Sequence, residues 1–186
     1  MLGQVKIDYK FLSDLEGGCR TDGYVPAAGD SKSGVTIATG FDLGQCSADD
    51  LNALGLPLSL NALLQPYLGK KTVDAQAALK KAPLKITPAQ AADIDLRVKK
   101  NHTKEIMARY DFSAGGVKFV DLPPQAQTVR RSVSFQYGVN LAKRTPKFWK
   151  AAIKQDCDEC IKILDNFGDD YPTRRRKEAD LLEAIA

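Results

Sequence analysis

Residues 11–45 read FLSDLEGGCRTDGYVPAAGDSKSGVTIATGFDLGQ, and the texture of the chain changes within them. The stretch opens on the end of an apolar-periodic segment. Val5, Tyr9, Leu12 and Leu15 or Phe11 recur at helical spacing, which predicts a short helix over residues 5–16. Gly17-Gly18 stops it, because a paired glycine favours chain reversal over helix. Glu16 is therefore the last residue before a double-glycine break. Gly, Pro, Asp and Ser then crowd residues 22–34, and VTIATGF follows as a β-branched and aromatic run. This run reads as strand. The pattern predicts a hairpin of Gly23–Ala27 against Val35–Phe41, with a loop at residues 28–34.

Helical signals occupy the rest. Ser47 opens SADDLNAL with acids in its first turn. Leu58–Leu68 is short and apolar, and Thr72–Lys81 is rich in alanine. Thr87-Pro88-Ala89-Gln90 combines a capping threonine, proline at the first position and glutamine three residues on. The helix it opens reaches Tyr110 and spans roughly 35 Å. Pro123-Pro124, Thr145-Pro146, Asp156 and Pro172 open four more. The chain is thus expected to be α+β. An N-terminal helix and hairpin lobe covers about 1–85, a linking helix about 87–110, and a helical lobe about 111–186, all in one domain.

The 186 residues suffice to bury roughly 70% of the unfolded surface in one core or two lobes. A composition 44% apolar and 27% charged excludes disorder as the main state. No 18-residue apolar window exists, so membrane insertion is not expected, and the N-terminus lacks the apolar core of a signal peptide. The net charge of +4 favours anionic polymers only weakly. No base-reading element argues for nucleic acid. Of the four cysteines, only Cys157 and Cys160 are close in sequence, which speaks against a four-thiolate zinc site. Disulfides Cys19–Cys46 and Cys157–Cys160 in an oxidising compartment, or buried free thiols, both fit. CDEC has no βαβ context for thioredoxin chemistry. Arg174-Arg175-Arg176 reads as solvated or paired with acids such as Glu178 and Asp180, and Trp149 as core.

The single histidine, His102, lies in KKNHTKE and reads as an exposed helical residue, not the base of a serine or cysteine nucleophile. HExxH, GxxxxGK[ST] and GxGxxG are all missing, so zinc hydrolysis and nucleotide chemistry are not indicated. No metal or cofactor is expected. Carboxylates remain. Glu16 ends an apolar helix, and the hairpin beyond it carries Thr36, Thr39 and Asp42. A glycosidase needs an acid with a raised pKa, which burial at a helix–sheet junction supplies, and a second group across the scissile bond.

Glu-Gly-Gly after a short apolar helix, then Gly-Tyr-Val-Pro, then Ser-Gly-Val-Thr-Ile-Ala-Thr-Gly-Phe-Asp-Leu-Gly resemble the phage-type lysozyme domain. The resemblance is nearest to its pesticin-like branch, found in bacteriocins and antibacterial effectors. SFQYGVN, FWKAAIK and PTRRRKEADLL resemble the family's later helices more loosely. The resemblance implies a lysozyme-like fold and muramidase activity, the hydrolysis of the β-1,4 bond between N-acetylmuramic acid and N-acetylglucosamine in peptidoglycan glycan strands. It puts Glu16 in the place of the catalytic acid, Thr36 where a threonine positions water or substrate, and Asp42 where this branch has its aspartate. Asp30 and Asp22 are rivals for that last role. A straight strand would hold Thr36 and Asp42 about 20 Å apart, so the chain must bend, and Gly40 is the residue that permits it. Tyr24 either stacks on a sugar or fills the hairpin. The resemblance further implies a secreted or injected toxin, monomeric, acting in the periplasm of target bacteria, with an immunity protein as partner. A glycan-binding module without catalysis, a lytic transglycosylase, a phage endolysin and a basic nucleic-acid binder are the alternatives.

Overall fold

A computed structural model describes residues 4–16, 18–26 and 32–186. It has an α+β fold, mostly helical with one small three-stranded antiparallel sheet. The chain separates into two compact units. One is Glu16–Asn101, and the other joins Met1–Leu15 to His102–Ala186.

The Glu16–Asn101 unit carries a three-stranded antiparallel sheet in the order β1 (Arg20–Tyr24), β2 (Thr36–Ala38), β3 (Phe41–Asp42). β1 starts three residues before the predicted Gly23, β2 is shorter than the predicted Val35–Phe41 strand, and the third strand is an addition to the predicted hairpin. The chain reverses at once after Ala38, where Ala38 (φ 53°) and Gly40 (φ 82°) both take left-handed backbone. That region is costly for a side chain and natural for glycine. The reversal pairs Ile37 with Phe41 and Thr36 with Asp42. On its other side β2 pairs Arg20 with Ala38 and Tyr24 with Thr36, with a bulge between. The outer edge of β1 is closed by residues 84–86, where Gly23 N donates to Leu84 O and Ile86 N to Thr21 O. An edge covered in this way cannot recruit a further strand.

Helices α2 (Ala48–Ala53), α3 (Leu58–Leu64) and α4 (Thr72–Lys81) follow, and α5 spans Pro88–Ser113. Ser47 and Asp50 form the capping box at α2. Val35, Ile37, Leu43, Leu51, Leu60, Leu64, Ala75, Ala91 and Ile94 make this unit's core. Two glycines set how closely its loops approach. A Cβ on Gly34 would stand 2.4 Å from both Gly44 Cα and Lys70 O, and one on Gly44 would stand 2.5 Å from Lys70 O. These neighbours are backbone and cannot swing aside.

The other unit begins with α1 (Tyr9–Glu16), shorter than the predicted 5–16. Residues 6–8 lie outside the helix, and two of their N–H groups go to side chains: Lys6 N donates to Gln127 Oε1 and Asp8 N to Thr128 Oγ1. The sequence grouped this helix with the hairpin. Leu12 instead packs among Ile106, Tyr110, Phe119, Val129 and Val133. Helices α6 (Pro124–Tyr137), α7 (Leu141–Arg144), α8 (Pro146–Lys154), α9 (Cys157–Asp165) and α10 (Pro172–Glu183) complete the unit. Ala126 through Ser134 of α6 are all buried. Its Gln127, Thr128, Arg130, Ser132 and Ser134 side chains are hydrogen-bonded within the protein. Ser132 donates to Glu178, and Arg174 and Arg175 converge on the same carboxylate. Arg176 pairs outside with Asp165, Asp180 and Glu183. Trp149 lies in the core.

His102 is half-buried, not exposed as the sequence implied. Its Nε2 lies 2.9 Å from Ser134 Oγ and its ring tilts against Phe135. Burial, with the Arg131 guanidinium second, lowers its pKa from 6.5 to about 3.

Two outcomes follow from the packing. Gly34→Ala lowers unfolding stability by about 3 kcal/mol in urea titration, because the methyl meets only backbone. The His102 ring stays neutral in the folded chain, whereas the unfolded ring takes up a proton below its ordinary pKa of 6.5. Its contribution is thus fully present above that pH and is lost as pH falls toward 3, at up to about 1.4 kcal/mol per pH unit. The urea midpoint of His102→Gln accordingly falls less than that of the parent between about pH 7 and pH 4.5.

Candidate active site

The β2–β3 reversal settles the separation that a straight strand would have imposed. Thr36 and Asp42 are direct cross-strand partners, which places their Cα atoms about 4.5–5.5 Å apart. Tyr24 pairs with Thr36 from the other side. The sheet therefore gathers Tyr24, Thr36 and Asp42 into one row.

Each member of the row has its own restraints. Thr36 is buried, and its hydroxyl donates to Gly34 O at 3.3 Å. Asp42 Oδ1 accepts from Gly34 N at 3.0 Å and from Gly44 N at 2.9 Å. Asp42 thus caps the 3-10 turn Leu43–Gln45 and ties together the two glycines whose backbones nearly touch. The helix-entry role that an aspartate here can serve is realised, and it fixes the carboxylate's orientation. The Arg20 guanidinium covers one face of the Tyr24 ring at 4.2 Å from its centroid.

Glu16 occupies the last position of α1. Its side chain is only 1% exposed, and both carboxyl oxygens are out of water. Lys99 Nζ of α5 lies 4.0 Å from Oε2, and the lysine side chain is itself largely buried. A carboxyl group withdrawn from water is costly in its charged form unless a cation stands near, and both conditions hold at this position.

Glu16 and the sheet row are related through α5. Asp95 lies one helical turn before Lys99 and binds Thr39 in the β2–β3 turn. Lys99 and Asp95 were not singled out from sequence. The i, i+4 spacing of an acid and a lysine was the available signal, but on a charged helix it ordinarily marks a solvated pair.

Of the rival carboxylates, Asp22 forms an exposed ion pair with Lys85 at 3.2 Å. Asp30 lies outside the described residues. Of the two readings open for the cysteines, the structure has free thiols at Cys19, Cys46, Cys157 and Cys160, of which only Cys160 is fully buried. The Cys46 thiol donates to Asp42 O, whereas Cys19 adjoins Thr39 and Asp95, so the two serve different surroundings. Burial pushes the Cys46 thiol up to about 11 and Cys160 to about 12. Cys157 and Cys160 sit on the first turns of one regular helix, whose geometry keeps neighbouring Cβ atoms about 5–6 Å apart, beyond the disulfide span. Among the described residues no group of three or more His, Cys, Asp or Glu is disposed to hold a metal ion.

Residues 6–158 match the family named Pesticin, described as a bacterial toxin homologue of phage lysozyme, C-terminal part. No curated protein matches the chain.

The double role of Asp42 as an acceptor has a measurable consequence. Asp42→Ala leaves the Gly34 and Gly44 N–H groups without their acceptor and costs about 2 kcal/mol, whereas Asp42→Asn keeps an acceptor oxygen and costs less than half as much. Chemical denaturation midpoints of the two variants give the comparison.

Proposed function

We propose, from the premise that the chain belongs to the pesticin family of phage-lysozyme-like bacterial toxin domains, that it is a muramidase with Glu16 as its general acid. The observation that carries this reading is the burial of the Glu16 carboxyl at a helix end, in the same compact unit as the paired Thr36 and Asp42. Removal from water favours the neutral carboxyl that a general acid must offer, while the Lys99 ammonium at 4.0 Å favours the anion left once the proton is given.

In the reaction, protonated Glu16 gives its proton to the oxygen between N-acetylmuramic acid and N-acetylglucosamine as the C–O bond breaks. Positive charge develops at the muramic anomeric carbon. The Asp42 carboxylate, oriented by its two backbone N–H bonds, opposes that charge or activates water. Thr36 orients the water, since a hydroxyl that donates to Gly34 O still has lone pairs to accept with. Water adds to the anomeric carbon, and its released proton restores the carboxyl group. Tyr24, its ring held against the Arg20 guanidinium, is the candidate to stack on a sugar.

The family is one of bacterial toxins, so the setting we infer is the cell wall of a rival bacterium, reached by secretion or injection into its periplasm. An immunity protein protecting the producer belongs to the same reading. Among the described residues no helix is long and apolar enough to cross a membrane. A second chemistry is favoured by one observation, the commitment of Asp42 Oδ1 to backbone bonds. A lytic transglycosylase manages with one glutamate and leaves anhydro-muramic ends.

Glu16→Gln keeps the shape and removes the proton. Its rate of clearing purified peptidoglycan falls by at least about a hundredfold, while co-sedimentation with the wall is retained. Undiminished clearing by this variant excludes Glu16 as the acid.

A further inference from the structure

The strongest polar contact of the β2–β3 turn has no part in the reaction just described. Thr39 presents both its donors to one carboxylate: its backbone N–H reaches Asp95 Oδ1 at 3.0 Å, and its hydroxyl reaches Asp95 Oδ2 at 2.6 Å. A bond of the second length to an ionised acceptor is among the stronger hydrogen bonds in proteins. Asp95 belongs to α5, and Lys99 lies four residues on, which puts the two side chains on one face of that helix. Lys99 is the residue whose ammonium lies 4.0 Å from Glu16. One helical turn of α5 thus holds the strand reversal with its first residue and faces the buried Glu16 with its second.

We propose that Asp95 is a positioning residue for glycan cleavage, acting through Thr39. The proposal rests on the muramidase reading. Each oxygen of Asp95 is engaged by Thr39, so the carboxylate takes no chemical step. It fixes where the reversal at Ala38–Gly40 lies along α5. That reversal puts Asp42 opposite Thr36, and α5 supplies the reference against which Glu16 is placed. Release of the turn lets the Thr36–Asp42 row drift relative to Glu16, and displacements near 1 Å in such sites are costly.

The test measures kcat and KM on purified peptidoglycan, per folded molecule, with the folded fraction taken from far-UV circular dichroism. Asp95→Ala and Thr39→Val each lower kcat by about tenfold to a hundredfold and move KM by less than about twofold. Thr39→Ser retains the hydroxyl and stays within about twofold of the parent. The double variant Asp95→Ala/Thr39→Val is no slower than the slower single, because the two residues act as one unit. If Asp95→Ala fails to fold, the contrast between Thr39→Val and Thr39→Ser still decides the matter. A loss confined to melting temperature, with kcat per folded molecule unchanged, overturns the proposal, as does a double variant whose loss is the product of the singles. When the parent chain cleaves glycan and Asp95→Ala cleaves equally well, only the proposal falls. When the parent releases no new sugar ends, the muramidase reading falls and the proposal with it.

Discussion

The reversal of the chain immediately after Ala38 is the constraint on which the sheet and its polar row depend. Two residues with positive φ turn what would have been one strand into two, and the six-residue interval from Thr36 to Asp42 closes into a cross-strand pair. Three independent restraints hold this geometry. Asp95 grips Thr39 inside the turn. Asp42 collects the N–H groups of Gly34 and Gly44. The two glycines come so close to each other and to Lys70 that no side chain fits there. A slip of one residue would send every side chain of the row to the opposite face, so burial of the strand and these restraints together fix the register.

Buried charge is handled differently in the two units. In the unit containing α6, Arg174, Arg175 and Glu178 form a network with Ser132. Every member has partners within hydrogen-bond distance, as a buried ionic group requires. Arg130 instead spends its guanidinium on the Ala126 and Ala152 carbonyls and lies over the Tyr110 ring. In the unit containing the sheet, Glu16 faces Lys99 at 4.0 Å, beyond direct hydrogen-bond length.

Much of this was legible in the residues, and the omissions have physical causes. Glu16 before a double glycine, the β-branched run from Val35, and the caps at Ser47, Thr87 and Asp156 are local signals, and the elements they announce are present. The third strand was missed because Phe41-Asp42 is too short to show alternation. Only the tertiary reversal at Gly40 makes it a strand. Helix α1 was drawn too long because Val5 continues the apolar period, whereas the backbone at residues 6–8 is claimed by Gln127 and Thr128, some 120 residues away. The choice between disulfides and free thiols stays open in the sequence for a related reason. An even count and a plausible compartment say nothing about which strand end each thiol occupies. Lys99 and Asp95 lay hidden in a charged helix whose buried face is fixed only by what packs on it.

We propose that the chain cuts the sugar backbone of peptidoglycan by acid-assisted hydrolysis. The most direct measurement digests purified sacculi with the unaltered chain, reduces the soluble fragments with borohydride and identifies their ends by mass spectrometry. Hydrolysis leaves fragments ending in reduced muramic acid, with the stem peptides intact. Newly freed peptide amines without new reducing sugar ends would contradict it.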